Sequence, residues 1–294
     1  MNIEDIFPDG VWTADNEYLV QCPVCGDGEH NHCYINIEKK VFFCHRNGCK
    51  GPLSKILKQD IDLEPTQKVI QRDIEEIDFS QFPKVTGENG FNDKMALAYL
   101  NGRGLDRDDI NYYDIRYAPS GSFFGRVLIP IYENRRLVCF VGRGFLQFIE
   151  PKYLFPKKRQ TLLTISESIF GFDKVFTTPK KRVFLTEGVF DAMAVDKKLG
   201  GLGLALMTKH MSNGQLYKLV SLPSDVSFWV LLDSDAQQEG IRIAGTLKAW
   251  GRKSMFVPLQ NGDPDSADRE QLAEALRLAR PYSEELESRV ILGE

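Results

Sequence analysis

Apolar and polar positions follow three patterns along the chain. In the first fifty residues they alternate over short runs, Tyr34-Ile35-Asn36-Ile37 and Val41-Phe42-Phe43, on either side of Glu38-Lys39-Lys40. That is the period of two small strands joined by a polar turn. Residues 58–88 lose the periodicity and are rich in Asp, Glu, Lys and Gln, as expected of a linker with room for a short helix. From about residue 90 the pattern is globular. Residues 93–101 have helical spacing and run into the turn Gly102-Arg103-Gly104, and 126–132 and 137–142 are apolar strand runs joined by the polar residues 133–136. From 181 onward, strands at 182–186, 202–207, 228–232 and 254–258 alternate with helices at 189–197, 212–220 and 239–250. This rhythm predicts a mostly parallel sheet with helices on its faces. The expectation is a multidomain α/β protein: a small β unit (1–57), a linker (58–88), an α+β unit (89–180), a parallel-sheet unit (181–266) and a short helical tail (267–294).

Composition narrows the class. A 43% hydrophobic content supports buried cores rather than disorder. No run approaches the roughly 20 apolar residues of a bilayer-spanning helix. The acidic first ten residues lack the apolar segment of a secretory signal. Both points lead to the expectation of a cytoplasmic protein with no membrane partner. A net charge of -4 argues against coating nucleic acid by bulk electrostatics. It leaves room for local basic grooves beside an acidic metal site.

Five of the six cysteines lie in the first fifty residues. The spacing Cys22-x2-Cys25, then Cys44-x4-Cys49 across a strand-rich stretch, is how two turns present four thiolates to one tetrahedral zinc. The second pair is wider than the usual two-residue gap, so Cys33, His30, His32 and His45 remain alternative ligands. Cys33 reads best as a half-buried residue at a strand start. The metal is structural. Any function of this unit lies in Lys39, Lys40, His45, Arg46 and Lys50 beside Phe42 and Phe43, a combination suited to single-stranded bases.

Acidic residues follow three of the strands. Glu187 ends an apolar strand, Gly188 permits a tight exit, and Asp191 lies one turn into the next helix. Asp233 and Asp235 follow another strand and, in an extended segment, would point the same way. Asp263 and Asp265 follow a third. In an open α/β sheet these strand ends form the ligand crevice. Carboxylates converging there repel one another without a cation, and hard oxygen ligands favour Mg²⁺ or Mn²⁺. A single such cluster could be a solvated loop or helix cap; three in step with the sheet rhythm point to a site for phosphoryl transfer.

E-G-x-x-D after one strand and D-x-D after a later one resembles the Toprim pattern of primases, topoisomerases, some nucleases and recombination mediators. R-V-L-I-P-I-Y-x7-F-V-G-R-G-F from Arg126, Pro151-Lys152-Tyr153-Leu154 and the segment from Tyr99 to Leu105 resemble the block preceding Toprim in bacterial DnaG-type primases. The module from Cys22 to Gly51 resembles the primase zinc ribbon in its shorter phage form. The resemblance implies a template-reading ribbon tethered to an RNA polymerase core that makes short RNA primers on single-stranded DNA from ribonucleoside triphosphates, with a separate helicase acting in trans. By position it assigns Glu187, Asp233 and Asp235 to Mg²⁺, with Asp191, Asp263 and Asp265 around the ions. Arg143 and Lys152 would face phosphates, with Arg126 a weaker candidate, and Lys157, Lys158 and Arg159 would guide template. In two places the chain departs from the pattern: residues 166–171 offer no basic residue before Phe170-Gly171, and the stretch after Asp235 is longer. No G-x4-G-K-[ST] loop is present. The rival readings are a Toprim nuclease, which has no use for the ribbon, and an inactive zinc-ribbon and Toprim binding protein, in which repelling carboxylates serve no purpose.

Overall fold

The computed structural model describes residues 3–14, 17–26, 31–44, 46–57 and 77–292. The chain forms two compact units, 1–73 and 74–294. In the first, a short helix α1 (Ile3–Ile6) precedes strands β1 (Val11–Ala14), β2 (Glu17–Val20), β3 (Cys33–Asn36), β4 (Val41–Cys44) and β5 (Lys50–Pro52), and helix α2 (Ser54–Leu57) follows. The strands form one antiparallel sheet in sequence order. Alternation sorts its faces: Tyr18, Val20, Cys33, Ile35, Phe42 and Cys44 are buried with Ile3 and Leu53, while Val41 and Phe43 are exposed. Only β3 and β4 were legible beforehand. Most of the expected linker, 58–76, lies outside the described residues. Residues 77–88 are not linker-like, because Phe79 is buried and meets Phe82 and Phe140 at centroid distances of 5.9 and 5.4 Å.

The second unit opens with α3 (Phe91–Gly102) and α4 (Arg107–Tyr112). An antiparallel sheet follows, of β6 (Arg116–Ala118), β7 (Arg126–Glu133), β8 (Arg136–Gly144) and β9 (Tyr153–Leu154). The β7–β8 turn is tighter than the four-residue turn expected. Glu133 pairs with Arg136, leaving Asn134 and Arg135 at φ 53° and 61°, the left-handed pair that a two-residue hairpin needs. Both amides donate to the Asp173 carboxylate at 2.7 Å.

After α5 (Lys174–Thr177) come β10 (Arg182–Thr186), α6 (Val189–Leu199), β11 (Leu202–Ala205), α7 (Asn213–Ser221), β12 (Ser227–Val230), α8 (Gln237–Ala249) and β13 (Lys253–Phe256). These strands are parallel in the order β11-β10-β12-β13. The C-terminal segment is more than a helical tail. Between α9 (Arg269–Leu278) and α10 (Glu284–Leu292), strand β14 (Arg280–Pro281) adds an antiparallel edge to β13. One face of the parallel sheet buries Val183, Leu185, Leu204, Phe228 and Val230; the other buries Phe184, Leu231 and Val257. Helix α6 joins the two sheets, since Val189, Phe190, Ala192 and Met193 pack with Val127, Ile129, Ile131 and Val141 of the hairpin. It lies so close to β11 that a Cβ at Gly203 would sit 2.2 Å from the Ala192 carbonyl oxygen. Among the described residues no helix is long and apolar enough to cross a membrane.

Candidate active site

The parallel strands deliver their carboxylates to one end of the sheet. Glu187 and Gly188 leave β10, and Asp191 sits in the first turn of α6, where an acidic group complements the helix N-terminus. Asp191 is buried and accepts hydrogen bonds from the Gly188 amide at 3.0 Å and the Asp265 amide at 3.1 Å. Ser234 donates to the Gly262 carbonyl at 2.9 Å, which ties the loop after β12 to the loop after β13. Asp263 accepts from the Ser266 amide at 2.7 Å. Glu187, Asp191, Asp233, Asp263 and Asp265 therefore line one cleft of about 320 Å³.

Asp235 does not line that cleft. The two aspartates after β12 are not in an extended segment, because Ser234–Ala236 is a 3₁₀ turn that leaves Asp235 exposed beside the cleft. Its charge still reaches the site. Burial and Asp235 raise Glu187 above the ordinary carboxylate range. Burial, with Glu187, Asp263 and Asp235, pushes Asp233 up to about 6. Burial, with Asp233 and Asp263, pushes Asp191 up to about 7. Asp265 is also raised, by burial first, with Asp263 adding to it against the opposing charge of Arg103. Four carboxylates moved in the same direction are a like-charged crowd. The Asp233 Oδ1 atom is buried without a hydrogen-bond partner. An all-oxygen donor set with an unpaired buried oxygen fits a hard divalent cation such as Mg²⁺ or Mn²⁺.

Cationic groups line the same cleft. Arg143 on β8 and Lys152 before β9 reach it. Arg103, to which the sequence reading gave no role, does so too. It follows α3, forms an ion pair with Asp265, and donates from Nε to the Tyr99 hydroxyl at 2.8 Å. Its guanidinium lies over the Phe190 ring at 4.4 Å. Lys198 supports the acidic loop by donating to the carbonyls of Asp265 and Ala267 at 2.5 and 2.7 Å. The signal for Arg103 was its place in the Gly102-Arg103-Gly104 turn, where an arginine is not needed for packing. Arg126 is not brought to the cleft. It is buried, and its guanidinium donates to the carbonyls of Phe124 and Pro151 at 3.2 and 2.9 Å. Lys157, Lys158 and Arg159 are exposed at a 3₁₀ turn and do not line the cleft.

In the first unit, the Sγ atoms of Cys22, Cys25 and Cys49 lie within 4.8 Å of one another. Cys44 Sγ is 3.8 Å from Cys25 Sγ. Burial and the neighbouring Cys25 and Cys22 push the Cys49 thiol up to about 11, a crowding that zinc reverses by stabilising thiolates. Cys33 is fully buried opposite Cys44 across β3 and β4, more deeply than the half-buried position expected. His30 and His45 lie outside the described residues.

The parallel strands thus bring Glu187, Asp191, Asp233, Asp263 and Asp265 into one cleft with Arg103, Arg143 and Lys152. No family model matches the chain. It is similar to the DNA primase of Thermotoga maritima, 25% identical over 291 residues covering 80% of this chain and 50% of that protein. It is also similar to the DNA primase of Aquifex aeolicus, 24% identical over 255 residues covering 67% and 50%. The chain thus spans about half the length of these curated relatives. Among solved structures, a DnaG primase catalytic domain bound to single-stranded DNA superposes with a TM-score of 0.61 at 18% identity, covering 73% of this chain and 80% of that one. A DNA primase domain from Pseudomonas aeruginosa gives 0.60 at 20% identity with the same coverage. Over 73% of the chain the fold is shared with these primase domains, as the sequence resemblance implied.

Proposed function

We propose that this chain is a DNA primase that makes short RNA primers on single-stranded DNA during replication. The observation that carries the reading is the cleft in which Glu187, Asp191, Asp233, Asp263 and Asp265 face Arg103, Arg143 and Lys152. The acidic groups suit divalent cations, and the basic groups beside them suit the phosphates those cations accompany. Glu187 and Asp233 would hold Mg²⁺ or Mn²⁺ from within the cleft and Asp235 from beside it, with Asp191, Asp263 and Asp265 around them. When bound, the ion would supply neutralisation of negative charge on the reacting phosphate.

The protein's own groups do the rest. Arg143 and Lys152 hold the phosphates of the incoming nucleotide or the template. Arg103 fixes Asp265, whose amide in turn fixes Asp191. Lys157, Lys158 and Arg159 guide the template strand from outside the cleft. Cys22, Cys25, Cys44 and Cys49 hold zinc, and the ribbon engages single-stranded template through its basic and aromatic surface. A separate replicative helicase acts in trans, and the protein works in the cytoplasm, that of the host if the gene is a phage gene.

The test is incubation with random-sequence single-stranded DNA, Mg²⁺ and labelled ribonucleotides. Short labelled RNA from the wild type, absent with Asp233→Ala, supports the reading. Degraded template without RNA replaces it with a nuclease, and neither product, with a candidate helicase also supplied, removes it.

A further inference from the structure

Beside Phe190 of α6, two further aromatic rings line the cleft: Tyr153, which also packs against the core, and Phe155. In β9, Tyr153 pairs with Arg143 and Leu154 with Gly142. Alternation along the strand turns Leu154 inward, against the cluster of Phe79, Phe123 and Phe140, and leaves Tyr153 and Phe155 on the cleft side. Their rings are parallel to within 4°, with centroids 6.5 Å apart. The guanidinium of Arg143 lies over the Tyr153 ring at 4.4 Å. Arg143 is only 6% exposed, and its Nε is buried without a hydrogen-bond partner. Phe155, by contrast, is 38% exposed although its surroundings are charged.

Aromatic faces beside phosphate-binding cations are how proteins hold a nucleotide unit of any sequence. We propose that Tyr153 and Phe155 form a stacking subsite for one nucleobase, with Arg143 and Lys152 taking the attached phosphate. The subsite rests on the primase reading of the same cleft and adds what that reading lacks, a place for the base. The ligand is a nucleotide unit, either one residue of the template strand or the free ribonucleoside triphosphate.

The experiment uses the full chain and 2-aminopurine, whose fluorescence falls on stacking. In one arm the probe is an oligodeoxythymidine containing one 2-aminopurine, with an end label reporting binding by anisotropy. In the other it is 2-aminopurine ribonucleoside triphosphate with Mg²⁺. Phe155→Leu keeps apolar bulk and removes the ring, Phe155→Tyr keeps the ring, and circular dichroism confirms that each variant is folded. Quenching by wild type and Phe155→Tyr, with affinity about 5- to 150-fold weaker in Phe155→Leu, supports the subsite, and the arm in which it occurs identifies the source of the base. Wild type and Phe155→Leu binding and quenching alike overturns the subsite and leaves the primase reading intact. A wild type that binds neither probe overturns both.

Discussion

Replacing Asp191 by Asn should stabilise the metal-free protein at alkaline pH. Burial and the charges of Asp233 and Asp263 raise Asp191 from 3.8 to about 7. Roughly three units at ~1.36 kcal/mol each make the ionised side chain cost on the order of 4 kcal/mol. An amide removes that charge but satisfies only one of the two backbone donors now held by Asp191, from Gly188 and Asp265, a loss of about 1.5–2 kcal/mol. The net gain is about 2 kcal/mol, or a rise in Tm of about 4–8 °C for a unit of this size. The sign follows from a folded pKa above the unfolded one. The protonated carboxyl is the form the fold favours, so stability is full below the unfolded value and is lost as pH rises through about 7. Melting curves in EDTA should therefore show the largest gap between variant and wild type at pH 8, less than half of it at pH 5, and none or a reversal near pH 4. An Asn variant less stable than wild type at pH 8, or a gap independent of pH, would refute the account of Asp191 as a carboxyl raised by burial and by neighbouring like charges.

Other expectations test separate parts of the structure. Metal analysis should find one zinc per chain in the wild type and in Cys33→Ala, and loss of it in Cys44→Ser; retention in Cys44→Ser would move the fourth ligand elsewhere. Gly203→Ala places a methyl against the Ala192 carbonyl and should cost about 3 kcal/mol or more in thermal or urea unfolding. Gly214→Ala, with only Ser212 Oγ at 3.8 Å in α7, should be neutral or gain up to about 1 kcal/mol, and equal costs would show that α6 does not pack on β11 as described. Arg103→Met leaves Asp265 without its ion-pair partner and should cost about 1–3 kcal/mol. Most of that loss should return in the double variant with Asp265→Asn, and a strictly additive double variant would argue against the pair.

Much of this was legible because the signals were periodic or were anchored by charge. β10 was bounded correctly from Arg182 to Thr186 because both sheet faces there are apolar and a charged residue follows at Glu187. The converging carboxylates followed from strand ends, as parallel topology requires. Asp235 lies beside the cleft rather than in it because the extended geometry assumed after β12 gives way to a 3₁₀ turn, and no local residue announces that turn. Arg126 entered through the family resemblance as a weaker candidate, yet its guanidinium donates to the carbonyls of Phe124 and Pro151. Those contacts are tertiary and leave no trace in spacing. Strand β14 was read as helix because two residues paired only at a sheet edge have no period to detect.

The central claim is template-directed nucleotidyl transfer in the carboxylate cleft. It is tested most directly by following labelled ribonucleotide into RNA on single-stranded DNA, with Mg²⁺ and a candidate helicase supplied, for wild type, Asp233→Asn and Glu187→Gln. The expectation is short RNA from the wild type, requiring template and metal, and a loss of at least about 100-fold in each variant with folding retained. RNA synthesis that survives both substitutions, or a folded, zinc-loaded wild type that makes none under these conditions, would contradict it.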